Sequence, residues 1–169
     1  VVDAMLPYFT EYYGNPSSVY EFAGKSKQAV DAARKTIADS LGAKPEEIYF
    51  TAGGSESDNW ALKATAEAYA SKGKHIITTK IEHHAILHTC EYLEKRGFEI
   101  TYLNVDRDGL ISLDELKAAI RPDTILISVM FANNEIGTIE PIAEIGEIAK
   151  EHGVLFHTDA VQAYAQVPI

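Results

Sequence analysis

Thr124-Ile125-Leu126-Ile127-Ser128-Val129-Met130 lies in the longest nearly apolar stretch of the chain, and its reading decides the fold. It carries no polar alternation, so it predicts a strand covered on both faces, as strands of parallel sheets are. It is too short to span a bilayer. Downstream, Pro141 opens a helical pattern that runs to about His152, and Val154 to Thr158 reads as a further strand. Upstream, a short helix near Leu113–Ile120 follows a turn at Asp106–Gly109, and Phe98 to Leu103 reads as a strand. Before it come a helix over His84–Arg96, a strand over His75–Thr79 and a helix from Ser57 to Ser71, with Gly73 and Gly97 as breaks. Ile48-Tyr49-Phe50-Thr51 reads as a short buried strand. Ala29, Val30, Ala33, Ile37 and Leu41 form a helical stripe over 25–41, ended by Gly42 and Pro45.

Strands separated by helices mean right-handed crossovers and a mostly parallel sheet in a three-layer α/β/α domain. The chain has 169 residues, about one domain, with 46% hydrophobic and 24% charged residues, which excludes a disordered or collagenous protein. Acidic residues outnumber basic ones 25 to 15, a net charge of −10 that argues against nucleic acid and anionic membranes as partners. The single cysteine, Cys90, allows no internal disulfide, and a cytoplasmic location is expected. The opening at Val1 and the stop at Ile169 lead to the expectation of a piece of a larger protein.

In such sheets ligands bind beyond the carboxyl ends of the strands. Four segments fall there. Thr51-Ala52-Gly53-Gly54-Ser55-Glu56-Ser57 enters a helix, and reads either as a phosphate cradle or as a plain capped turn. Ile81-Glu82-His83-His84 offers a histidine to stack on a flat ligand or move a proton, or else to cap a helix. Asn133-Asn134-Glu135-Ile136-Gly137 suits a turn, or side-chain amides turned to a ligand oxygen. Asp159-Ala160-Val161-Gln162 places a carboxylate after an apolar strand, where it caps the next turn or meets a cation such as a protonated pyridine. Each is modest alone. Together they suit pyridoxal 5′-phosphate, whose ring nitrogen needs an acidic partner.

With Gly14-Asn15-Pro16-Ser17-Ser18, these motifs occur in an order and spacing that resemble the cysteine desulfurases, class V enzymes of pyridoxal phosphate fold type I. The resemblance implies that Gly54 and Ser55 bind the cofactor phosphate and that His83 stacks on the ring and assists proton transfer. It implies that Asp159 pairs with the ring nitrogen and Gln162 with the phenolic oxygen. Asn134 would lie near that oxygen or the substrate carboxylate, and Asn15 near the substrate. The implied reaction converts L-cysteine to alanine and passes sulfur to an enzyme cysteine as a persulfide, which feeds iron–sulfur cluster assembly or another acceptor or scaffold protein.

The resemblance further implies a homodimer. It makes residues 1–169 a single, incomplete large domain with an N-terminal arm at 1–24, the small C-terminal domain being absent. The lysine that anchors the cofactor, a second phosphate-binding Ser/His pair and the nucleophilic cysteine would fall beyond residue 169, so this chain alone is expected not to turn over cysteine. The alternatives are a non-catalytic module of the same fold and a related class V enzyme such as a selenocysteine lyase. Tyr20 stands where many members have histidine, and Gly54-Ser55 replaces the commoner Ala-Thr.

Asn104–Glu115 matches the spacing of a calcium loop, but a strand precedes it, so it reads as a turn. His84 and His88, one helical turn apart near Cys90, lack further ligands with metal spacing, and no metal is expected. Cys90 reads as a packed small residue.

Overall fold

A computed structural model of the chain describes residues 1–168, in two compact units, Val1–Phe50 and the remainder from Thr51. The first unit holds α1 (Val2–Thr10), α2 (Glu21–Leu41) and a 3₁₀ turn at Pro45–Glu47. Helix α1 was not anticipated, and α2 starts a turn earlier than its apolar stripe suggested.

Residues 48–51 form no strand, contrary to expectation. Tyr49 and Phe50 are 66% and 51% exposed. Arg34 donates to the Ile48 carbonyl, and its guanidinium lies 4.8 Å from the Phe50 ring centroid. A short apolar run becomes a strand only where a neighbour completes its ladder, and no such pairing occurs among the described residues.

The second unit runs α3 (Gly54–Tyr69), β1 (His75–Thr79), α4 (His84–Glu94), β2 (Glu99–Leu103), α5 (Leu113–Ala119), β3 (Thr124–Ser128), α6 (Ile142–Glu151) and β4 (Leu155–His157). Its four strands are all parallel, in the order β2-β1-β3-β4. The expected three layers are present. Strand residues alternate between faces, so Ile77 and Ile127 pack with Leu116, Ile145 and Ile148 of α5 and α6. Ile76 and Leu126 pack with Leu62, Ile86 and Leu93 of α3 and α4. Burying each of these side chains contributes roughly 2 kcal/mol. At Gly73 a Cβ would lie 2.1 Å from the Asp123 carbonyl oxygen, so only glycine lets the chain enter β1 this close to the start of β3.

From β1 the chain steps one way to β2 through α4. It then crosses back to β3 and β4 through helices on the opposite face, as right-handed crossovers demand. The direction therefore reverses between β1 and β3, which opens a crevice at their carboxyl ends. Among the described residues no helix is long and apolar enough to cross a membrane.

Candidate functional site

The crevice is fixed by Glu82. This buried carboxyl accepts the Thr79 hydroxyl and the Met130 amide, both at 2.9 Å on Oε1, and so ties the ends of β1 and β3 together. Burial pushes it up to about 8, so it is protonated at neutral pH. The next residue, His83, heads α4 and accepts the Ala85 amide on Nδ1 at 3.1 Å. The helix-capping reading of His83 thus holds. The ring is nonetheless exposed at the crevice.

The two adjacent asparagines divide their work. Asn133 is buried. Its side-chain oxygen accepts the Glu135 and Ile136 amides at 2.8 and 3.0 Å, and its amide donates to the Ile81 carbonyl at 2.9 Å. Asn134 is exposed and faces the crevice. After β4, Asp159 is half-buried and accepts the Val161 amide at 2.9 Å, so it does cap the following turn.

On the other side, Gly54 and Ser55 begin α3, where the first amides of a helix have no intrahelical acceptor. The loop ahead of them is braced by Glu56, which accepts the Ala52 amide at 2.6 Å, and by a 2.7 Å contact between the Thr51 and Ser57 hydroxyls. A Cβ on Gly54 would lie 2.7 Å from Cγ2 of Val161, so a larger residue would push into this wall.

A cavity of about 260 Å³ results, and Gly54, Ser55, His83, Asn134, Asp159 and Gln162 all line it. Asn15 belongs to the N-terminal unit, where its side chain accepts the Ser17 amide at 2.9 Å. The sequence reading passed over Asp58, which also lines the cavity and is 4% exposed. Its signal was its place on α3, one turn beyond Ser55 and on the same helical face. Burial and the charge of Asp159 push the Asp58 carboxyl up to about 7. Nearby, burial holds the His157 imidazole below its usual range, against the pull of Asp159.

Other ionisable side chains are engaged elsewhere. Lys80 donates to Asn104 at 2.6 Å. Cys90 is fully buried, and its thiol is pushed up to about 12 by burial. In the stretch with calcium-loop spacing, Asp106 accepts the Asp108 and Leu110 amides at 2.8 and 3.0 Å, and Glu115 accepts from Asn104.

The donor set suits one small ring with an anionic arm. A helix start with a serine hydroxyl attracts a phosphate, a half-buried carboxylate suits a ring cation, and an exposed imidazole can lie on a flat ring. Residues 1–169 match the family described as aminotransferase class V. The chain belongs to that family. Across all 169 residues it is 68% identical to cysteine desulfurase IscS of Methanosarcina thermophila and 62% identical to that of Clostridium botulinum (strain Kyoto / Type A2), covering 42% and 43% of those proteins. Among solved structures, a NifS-like protein superposes with a TM-score of 0.95 at 40% identity, over 99% of this chain and 47% of that one. SspA in complex with cysteine gives 0.95 at 45% identity, over 99% and 48%. This class V chain thus spans less than half the length of the relatives it matches.

Proposed function

We propose that the cavity binds pyridoxal 5′-phosphate and that this chain carries the corresponding wall of a cysteine desulfurase active site. One observation carries the reading: residues from four separated loops, each singled out by its chemistry, line a single cavity at the reversal point of a parallel sheet. The names of the relatives point to the same reaction.

In this reading the Gly54 and Ser55 amides and the Ser55 hydroxyl hold the phosphate at the start of α3. The cofactor, when bound, supplies an electron sink for an amino-acid substrate, provided that its ring nitrogen stays protonated. Asp159 keeps that proton in place, its carboxylate oriented by the Val161 amide. Gln162 donates to the phenolic oxygen, and Asn134 offers its free amide to that oxygen or to the substrate carboxylate. His83 takes the ring face. With Nδ1 accepting the Ala85 amide, the ring proton sits on Nε2, so His83 assists proton transfer on the substrate as a donor. Asn15 is assigned to the substrate end.

The substrate is L-cysteine. Its Cβ–S bond breaks, the sulfur passes to a protein thiolate as a persulfide, and protonation of the remaining carbon skeleton gives alanine. The cysteine nucleophile and the anchoring lysine are assigned outside residues 1–169. Transfer to an acceptor or scaffold protein for iron–sulfur assembly, a homodimer and a cytoplasmic location complete the proposal.

An absorbance titration with pyridoxal 5′-phosphate tests it. Saturable binding that Asp159→Ala abolishes is the expected result. Absence of binding by the protein, or equal binding by the variant, would overturn it.

A further inference from the structure

Two carboxyl groups, Asp58 and Asp159, face one cavity wall, and the binding reading above uses only Asp159. They differ in surroundings. Asp159 is half-buried and receives an amide hydrogen bond. Asp58 is 4% exposed, where an unpaired charge is disfavoured.

Behind the wall, Nε2 of His157 lies 3.7 Å from Oδ1 of Asp58, and Nδ1 lies 2.9 Å from the hydroxyl of buried Ser128. The first gap is in ion-pair range and slightly long for a hydrogen bond, and a small rotation of the aspartate χ2, which is soft, closes it. A serine hydroxyl donates or accepts equally well. His157 can therefore hold its own proton on either nitrogen.

We propose that Asp58 is a positioning residue: its carboxyl group and the His157 ring share one proton at the cavity wall, leaving Asp159 as the full negative charge that faces the ring nitrogen of a bound cofactor. Only that last clause rests on the cofactor reading. While Asp58 keeps the proton, its O–H donates to Nε2 and the Nδ1–H of His157 donates to Ser128. When the pair gives one proton up to solvent, the shared proton sits on Nε2, facing the Asp58 carboxylate, Nδ1 has released its own, and the Ser128 hydroxyl donates to Nδ1. The imidazole stays neutral throughout but exchanges tautomer. Burial and the Asp159 charge both hold the proton on Asp58, which places the exchange near pH 7. The other ionisable groups lining the same cavity are Asp159, just after β4, and His83, and the Asp159 charge acts on both members of the pair.

The tautomer of a neutral histidine is read directly from its two ring ¹⁵N shifts, in protein labelled on histidine and without cofactor. Between about pH 5 and about pH 9, His157 is expected to pass from the Nδ1–H to the Nε2–H form. The midpoint should fall in Asp159→Asn, which removes the charge that holds the proton on Asp58. In Asp58→Asn the exchange should vanish. A single tautomer across the whole range in the unmodified protein would overturn the proposal, and so would a midpoint that ignores Asp159→Asn. Adding pyridoxal 5′-phosphate should then displace the His157 signals saturably. If it does not while the exchange persists, the cofactor reading fails and the shared proton stands.

Discussion

The two ends of the sheet treat charge in opposite ways. At the amino end, Arg121 grips Asp123 through Nε and Nη2 at 2.9 and 2.8 Å and reaches Glu99 with Nη1 at 2.6 Å. His75 is fully buried, with its ring nitrogens 2.7 and 2.8 Å from the hydroxyls of Thr124 and Thr101. Each of these polar groups has a partner within the protein. At the carboxyl end, Ser55, Asn134 and Gln162 present exposed side chains to the cavity, and Asp58 and Asp159 crowd two carboxyls into one wall. Size does not separate the two ends. The hollow beside Arg121, about 510 Å³, is the larger. What separates them is whether the polar groups are already satisfied, because groups left open toward a cavity are the ones a ligand can reward.

Glu82 gives the largest expected effect, because it crosses from one behaviour to the other: a carboxyl at the carboxyl end that is spent on the fold. Glu82→Ala strips the Met130 amide and the Thr79 hydroxyl of their acceptor, for a loss of roughly 2–4 kcal/mol in chemical denaturation. Glu82→Gln keeps an acceptor oxygen and should retain most of that stability. The two variants also separate by pH. The folded-state value, about 8, lies above the unfolded one near 4.5. The contribution is therefore complete below about pH 4.5 and is lost as pH rises through about 8. Unmodified protein should weaken over that interval, and Glu82→Gln should flatten the fall. Asp58, shifted in the same direction, leaves a residue of it.

Asp159→Asn should do the reverse of Glu82→Ala. Asparagine can still accept the Val161 amide, so the denaturation midpoint should barely move. The charge facing the ring nitrogen is lost, and affinity for pyridoxal 5′-phosphate should fall by about tenfold or more, as for a buried charge-assisted hydrogen bond. A loss of stability without a loss of affinity would place Asp159 with Glu82 as a structural carboxyl.

The asparagines repeat the contrast between neighbours. Asn133→Ala should lower stability by about 1–3 kcal/mol, because the Glu135 and Ile136 amides lose their acceptor. Asn134→Ala should leave the melting temperature unchanged and weaken cofactor binding by roughly threefold to tenfold. Parallel denaturation and binding curves for both variants check the division.

The sequence made the sheet legible because parallel strands announce themselves: His75–Thr79 and Thr124–Ser128 are buried at every position. Ile48–Thr51 looked the same over its four letters but lacked a ladder, a non-local fact that local pattern cannot carry. The residues lining the cavity were legible for the opposite reason: each follows a strand or opens a helix beside a glycine or an asparagine turn, so short-range grammar places it. Asp58 escaped because it sits inside α3, where an aspartate ordinarily marks a solvated face. Only the packing of α3 against the sheet turns it inward. The helix at Val2–Thr10 escaped because Pro7 lies within it, and proline there argues against a helix.

Arg121→Met is the smallest expected effect and the sharpest control on the comparison of the two ends. The side chain is 39% exposed, and its partners Glu99 and Asp123 are 69% and 44% exposed, so solvent screens all three. Losing the cation leaves two carboxylates facing each other, and the melting temperature should drop slightly in low salt and recover in high salt. Arg121 also holds the Asp123 carboxyl below its usual range. That contribution is present above the unfolded value and lost as pH falls through the folded one, so the variant should differ from the parent at neutral pH and converge with it in acid. Cofactor affinity should be identical in the two proteins at every pH. A change in affinity would mean that the paired end of the sheet communicates with the open one, and satisfaction of local charge would no longer suffice to tell the fold from the site.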